Sequence, residues 1–182
     1  MESLNYPMML VNINGKYIIP FIKLEDGSKM GHSIIIKADL EGSIALGERH
    51  SLKLGATAGS SVGINELPLI YRFFVGGQSH MYYFDNIISF DGLRFTQLYG
   101  NHIVIGKISW QYNFYKNLYA TANINGGYVS EEYNNWFYND NFIIGGGLTL
   151  GMKTKAGPIE ISLMGSNKSS NLFGFLNIGY WF

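Results

Sequence analysis

Cysteine is absent from the 182 residues, which excludes a disulfide scaffold, a thiolate nucleophile and thiolate metal sites. Charge is scarce as well. Asp, Glu, Lys and Arg together make up 14% of the chain, where a soluble globular domain carries roughly 25%, so something else must cover the surface. The 13 acidic and 13 basic residues cancel, and with no basic stripe nucleic acid finds no electrostatic footprint. No stretch approaches the roughly 18 consecutive apolar residues that a spanning helix needs. The opening Met1-Glu2-Ser3-Leu4-Asn5 has neither a basic n-region nor an apolar h-region. An exported chain that begins this way is expected to have lost its signal and gained an initiator Met, or to be part of a longer chain.

What is abundant points to strands. Hydrophobic residues reach 47% and aromatics 15%, with 23 glycines and 13 tyrosines against only 4 prolines. That mixture favours strands and tight turns over helices, and the length fits one domain over residues 1–182. The dominant signal is alternation with period two. Leu172, Gly174, Leu176, Ile178, Tyr180 and Phe182 share one face of the last segment, opposite Phe173, Phe175, Asn177, Gly179 and Trp181. Ile159, Ile161 and Leu163 oppose Glu160, Ser162 and Met164, and Ile144, Leu148 and Leu150 oppose Gly145, Thr149 and Gly151. Leu118, Ala120, Ala122 and Ile124 oppose Tyr119, Thr121, Asn123 and Asn125, while Ile108, Trp110 and Tyr112 oppose Lys107, Ser109 and Gln111. Leu52, Leu54 and Ala56 oppose Lys53 and Gly55; Ile34, Ile36 and Leu40 oppose Lys37, Asp39 and Glu41; Tyr17, Ile19 and Phe21 mark a first segment, with Pro20 giving it an edge character.

These segments predict an all-β fold, a transmembrane antiparallel β-barrel with about eight strands per chain. Short connections (Gly47 to His50, Tyr115 to Asn117, Lys155 to Pro158) alternate with long ones (Glu25 to Gly31, Ser60 to Asn101, Ser130 to Asn141, Gly165 to Asn171). Membrane barrels show that alternation, short on the periplasmic side and long outside. Aromatics near segment ends, Trp110, Tyr112, Phe114, Tyr133, Trp136, Phe137, Tyr138, Tyr180 and Trp181, suit interface belts. A soluble sandwich would also alternate, but its polar face would meet water, and the polar face here is rich in Gly, Ser, Thr and Asn rather than charge.

Three stretches carry a family resemblance: the closing strand with Leu176, Ile178, Tyr180 and Phe182 spaced by two, Phe73-Phe74-Val75-Gly76-Gly77, and Ala156-Gly157-Pro158-Ile159-Glu160-Ile161-Ser162. Together they resemble the bacterial surface antigen superfamily, which includes sixteen-stranded insertase and translocase barrels and the barrel of patatin-like phospholipases. The resemblance covers the whole chain and implies the C-terminal half of such a barrel, strands nine to sixteen. It further implies a bacterial outer-membrane location, outer-membrane lipid as surroundings and the barrel assembly machinery as a partner during insertion, with the last strand as assembly signal. It also implies that the loop opened by Gly76 and Gly77 enters the lumen, where Arg94 would pair with a wall carboxylate. The family's apolar-Arg-Gly-aromatic order is broken in Asp91-Gly92-Leu93-Arg94-Phe95, and Asn123 and Asn125 stand where a wall acid is usual. Those departures favour a divergent or patatin-associated barrel over an insertase.

The remaining motifs are weaker. Gly59-Ser60-Ser61-Val62-Gly63 matches G-x-S-x-G, but a nucleophile elbow needs a strand–turn–helix context, and the expectation is a glycine-rich strand end without catalysis or cofactor. His32, His50, His80 and His102 have no metal-ligand spacing. Lys37, Asp39, Glu41, Lys53, Lys107, Lys153 and Glu160 all fall on the polar face, to line a water-filled path or to pair with one another. The link from about 60 to 101 is longer than structureless loops usually are, so it is expected to pack into the lumen or extend a hairpin. Eight strands close alone into a small barrel acting through its outside loops, or two copies close a sixteen-stranded barrel as a homodimer, a scaffold or pore. An open sheet edge does not persist in lipid.

Overall fold

The computed structural model describes residues 8–18, 32–63, 68–78, 85–135 and 137–179. Eight long strands carry the fold: β1 (Met8–Ile18), β2 (Ser33–Ala45), β3 (His50–Gly63), β7 (His102–Asn113), β8 (Leu118–Ser130), β9 (Phe142–Thr154), β10 (Gly157–Ser166) and β11 (Phe173–Ile178). They form one antiparallel sheet in chain order, β1-β2-β3-β7-β8-β9-β10-β11. Three short strands, β4 (Phe73–Val75), β5 (Ile87–Ile88) and β6 (Leu98–Gly100), make a second sheet in the order β5-β4-β6. Among the described residues there is no α-helix, only three single turns of 3-10 helix. The eight-stranded sheet is open, with β1 and β11 as its edges.

The short connections are tight because their chemistry allows it. Gly47 (φ 112°) and Gly157 (φ 114°) hold left-handed backbone at two of the hairpin ends, a conformation that costs a side-chain-bearing residue about 1 kcal/mol or more. The first strand differs from expectation: it starts at Met8, well before Tyr17, and Ile19, Pro20 and Phe21 lie outside the described residues. Its own alternation, Val11-Asn12-Ile13-Asn14, pairs along β2 from Ser33 to Ser43. The apolar run Met8-Met9-Leu10-Val11 before it has no alternation and hides the start of that strand from a period-two reading. β3 likewise continues to Gly63, so the long connection begins later than Ser60.

The two faces of the sheet are unlike. One is an unbroken apolar surface: Leu148 is 67% exposed, Leu150 63%, Ile124 62% and Ile161 63%. The other is polar and partly covered. Its registers bring Thr149 opposite Ser162 with their hydroxyls 2.7 Å apart, and lay the Tyr119 ring over Gly151 on the next strand. What covers this inner face is the segment holding β4, β5 and β6. The core is the seam between them: Phe73, Val75, Ile88, Phe90 and Leu93 from the segment, Ile103 and Ile105 from β7, Val129 from β8 and Ile143 from β9.

The segment reaches from one edge to the other. Asp85 pairs with Lys16 on β1 at 2.8 Å, and the Arg94 guanidinium lies 5.5 Å from the Phe173 ring on β11. A flat sheet of eight strands would be about 34 Å across, at about 4.8 Å per strand. Ten residues that include the Phe90–Leu93 turn fall well short of their extended length, so the sheet curls round the segment.

Candidate functional site

Glycines seat the segment on the eight-stranded sheet. A Cβ at Gly59 on β3 would come within 2.6 Å of the Phe73 ring, and one at Gly145 on β9 would collide with the Asp91 carbonyl oxygen. Gly92 (φ 91°) lies against the Gly165 carbonyl on β10, where no side chain fits. Gly76 and Gly77 hold positive φ of 136° and 81°, and Gly77 pairs with Phe90 as an isolated bridge. Hydrogen bonds complete the seat: Ser61 Oγ donates to the Tyr71 carbonyl at 3.1 Å, and Ser166 Oγ to the Gly92 carbonyl at 2.7 Å.

At the centre is a buried charge. Asp91 is 1% exposed, and Lys107 Nζ on β7 stands 2.9 Å from its Oδ2. Charge attraction holds the pair, and Asp91 Oδ1 has no hydrogen-bond partner among the described residues. Asn125 on β8 donates its side-chain amide to the Asp91 carbonyl at 3.3 Å. A carboxylate buried without a cation would cost several kcal/mol, so Lys107 fixes where the segment sits.

This corrects the expectation for Arg94. Its side chain is exposed and stacks on Phe173; among the described residues no carboxylate pairs with it. The reason is local. Gln97 Oε1 accepts the Arg94 backbone N–H at 2.8 Å and turns the chain there, so Asp91 rather than Arg94 points into the wall. The polarity of the contact is the reverse of the one the resemblance implied: loop acid to wall base. Nothing in the charge pattern alone singled out Asp91, although an acid inside Phe90-Asp91-Gly92-Leu93 was a signal, since a buried carboxylate must find a cation.

The other polar-face charges form small groups. Lys37 and Asp39 pair at 3.0 Å, and Thr57 Oγ1 donates to Asp39 at 2.8 Å. Tyr119 donates to Glu160 at 2.7 Å, Asn177 to its other oxygen at 3.2 Å, and Lys153 lies 5.8 Å from the Tyr119 ring. Glu41 and Lys53 are exposed on the same face. Ser60 and Ser61 sit inside β3, a continuous strand, with Ser60 Oγ 2.9 Å from His102 Nδ1; the turn into a helix that a nucleophile elbow requires is not there. No group of three His, Asp or Glu among the described residues could hold a metal. In the last strand Leu176 and Ile178 face outward at 58% and 70% exposure, while Tyr180 and Phe182 lie outside the described residues.

With an apolar outer face, a polar inner face and a long connection folded against the inner one, sequence comparison becomes decisive. Residues 3–182 match the OMP85 superfamily. The chain belongs to that superfamily. The match confirms the resemblance to the surface antigen barrels and spans nearly the whole chain. OMP85 proteins are generally bacterial outer-membrane β-barrels. No curated protein matches the chain.

Proposed function

We propose that this OMP85 chain is part of the wall of a barrel in the bacterial outer membrane, acting as scaffold or pore without catalysis or cofactor of its own. The observation that carries this reading is the uncovered apolar face. Soluble monomers rarely expose contiguous apolar patches above a few hundred Å², and lipid is the cover that suits a whole sheet face of Ile, Leu and Met. The inner face supports an aqueous side, because Glu41, Lys53 and Lys153 need water or a counter-charge. Outer-membrane lipid and the assembly machinery are its partners, and a second copy supplies the missing wall.

The test is fractionation followed by reconstitution. The chain should remain with the outer membrane after carbonate and urea washes, and in planar bilayers it should conduct if the lumen is open. Recovery in the soluble fraction would overturn the reading. Lipid hydrolysis lost in Ser61→Ala would overturn the absence of catalysis and favour a patatin-associated enzyme. A small self-closed barrel acting through its loops is the second reading; the segment across the inner face opposes it, because eight strands enclose only enough room for side chains.

A further inference from the structure

We infer that the infolded segment holds the two edges of the eight-stranded sheet apart, and that the free edge of β1 pairs antiparallel with the free edge of β11 from a second copy, twice over, to close the wall. This inference rests on the membrane-wall reading and adds how and with what the wall closes.

Three observations carry it. First, the segment brings its own three-stranded sheet against the inner face and touches strands from β1 to β11. Side chains alone fill an eight-stranded barrel, so β1 and β11 of one copy are kept from meeting. Second, both edges lack protection. Soluble proteins blunt edge strands with proline, charge or bulges, whereas the described β11 has no charge and no proline and β1 has only Lys16 among its charges, close to its outer end. In hydrocarbon the unpaired edge N–H and C=O groups of both strands require partners. Third, the edges match. β1 and β11 run in opposite directions across an antiparallel sheet of even strand number, so β11 of one copy meets β1 of the next in the same antiparallel sense as its neighbours.

The faces restrict the register. Leu10, Asn12 and Asn14 share the inner face with Asp39 and Lys37, and Phe175 and Asn177 share it with Ser162 and Glu160. A one-residue slip would turn an entire strand over, so Asn12 and Asn14 stand opposite inner-face residues of β11 such as Phe173, Phe175 or Asn177, never opposite Leu176 or Ile178.

The absence of cysteine makes a clean cross-linking background. Asn12→Cys is combined with Phe173→Cys, Phe175→Cys or Asn177→Cys in turn, and Ile13→Cys with Asn177→Cys serves as the opposite-face control. The proteins are oxidised in outer-membrane vesicles. At least one same-face pair should give a covalent dimer of twice the 20.4 kDa chain, as should mixed copies carrying one cysteine each, and the control should not. A link within one chain, at monomer mass, would mean that eight strands close on themselves and would overturn the inference. So would thiols that stay open to a water-soluble maleimide and never link. Native mass spectrometry of the unsubstituted protein decides if the variants fail to fold: two identical chains support the inference, while one chain or a second polypeptide overturns it. Membrane retention in any failing case leaves the wall reading intact; a soluble protein sinks that reading instead.

Discussion

Asp91 and its glycine seat concentrate the energetics of the inner face into a few atoms. With Lys107 removed, the carboxylate stays 1% exposed and loses its only cation among the described residues. Lys107→Met should therefore loosen the segment by on the order of 2 kcal/mol, seen as faster proteolysis between β3 and β7. Adding Asp91→Asn to Lys107→Met should restore much of the protection, because the unpaired charge is then gone. Faster cleavage in the double variant than in the single one would contradict this. The glycines give a sharper contrast. Gly145→Val puts carbons where the Asp91 carbonyl and the Phe90 ring lie, whereas Gly174→Val on β11 meets nothing within 4 Å. Only the first should expose the segment to protease, and equal effects would show that the seat does not bear the segment.

At the scale of elements, the sequence displays the eight-stranded sheet plainly and the segment hardly at all. Seven of the eight long strands follow the apolar alternation read from residues alone, because one face of each carries a row of exposed apolar side chains while the other packs on polar neighbours or on the segment. The first segment, expected from Tyr17 onward, starts earlier, at Met8, because Met8, Met9, Leu10 and Val11 are apolar on both faces of β1 and break the period. The segment has no period: Phe73, Ile88, Phe90 and Leu93 are held by contacts with β7, β8 and β9, far away in sequence, and such contacts leave no local mark. Its bend at Gly76 and Gly77 was legible; the reversal from Arg94 to Asp91 was not, since it depends on where Lys107 lies. Asp85 fastens the segment to the β1 edge. The Lys16 hydrogen bond and charge beside it hold its carboxyl below the ordinary value of 3.8. A lowered carboxyl stabilises the folded contact above the unfolded value, and that stabilisation is lost as pH falls through the lowered folded value. Hydrogen exchange at Ile87 and Ile88 should thus be equal, after correction for intrinsic rates, at pH 8 and pH 5, and rise only below about 4. Both groups are more than half exposed, so the change should be small. Asp85→Asn should remove the step, and its persistence would assign the pH response elsewhere.

For the whole molecule the question is which solvent meets each face, and paired substitutions at one depth answer it. Leu148 sits midway along β9 on the outer face, and Asn123 sits midway along β8 on the inner one. If lipid covers the outer face, arginine at Leu148 costs about 2–4 kcal/mol near the bilayer midplane, while arginine at Asn123 reaches the aqueous side among Ser109, Thr121 and Lys107. Urea unfolding in lipid vesicles should then show Leu148→Arg destabilised by that amount and Asn123→Arg within about 1 kcal/mol of the parent. The asymmetry should vanish for a pair near the strand ends, such as Phe114→Arg against Asn113→Arg, because the cost fades toward the interface. A soluble sheet with a protein covering its apolar face would penalise Leu148→Arg at every depth alike and would respond to that protein's concentration. The depth dependence, rather than the loss itself, is what separates lipid from a protein partner on this face.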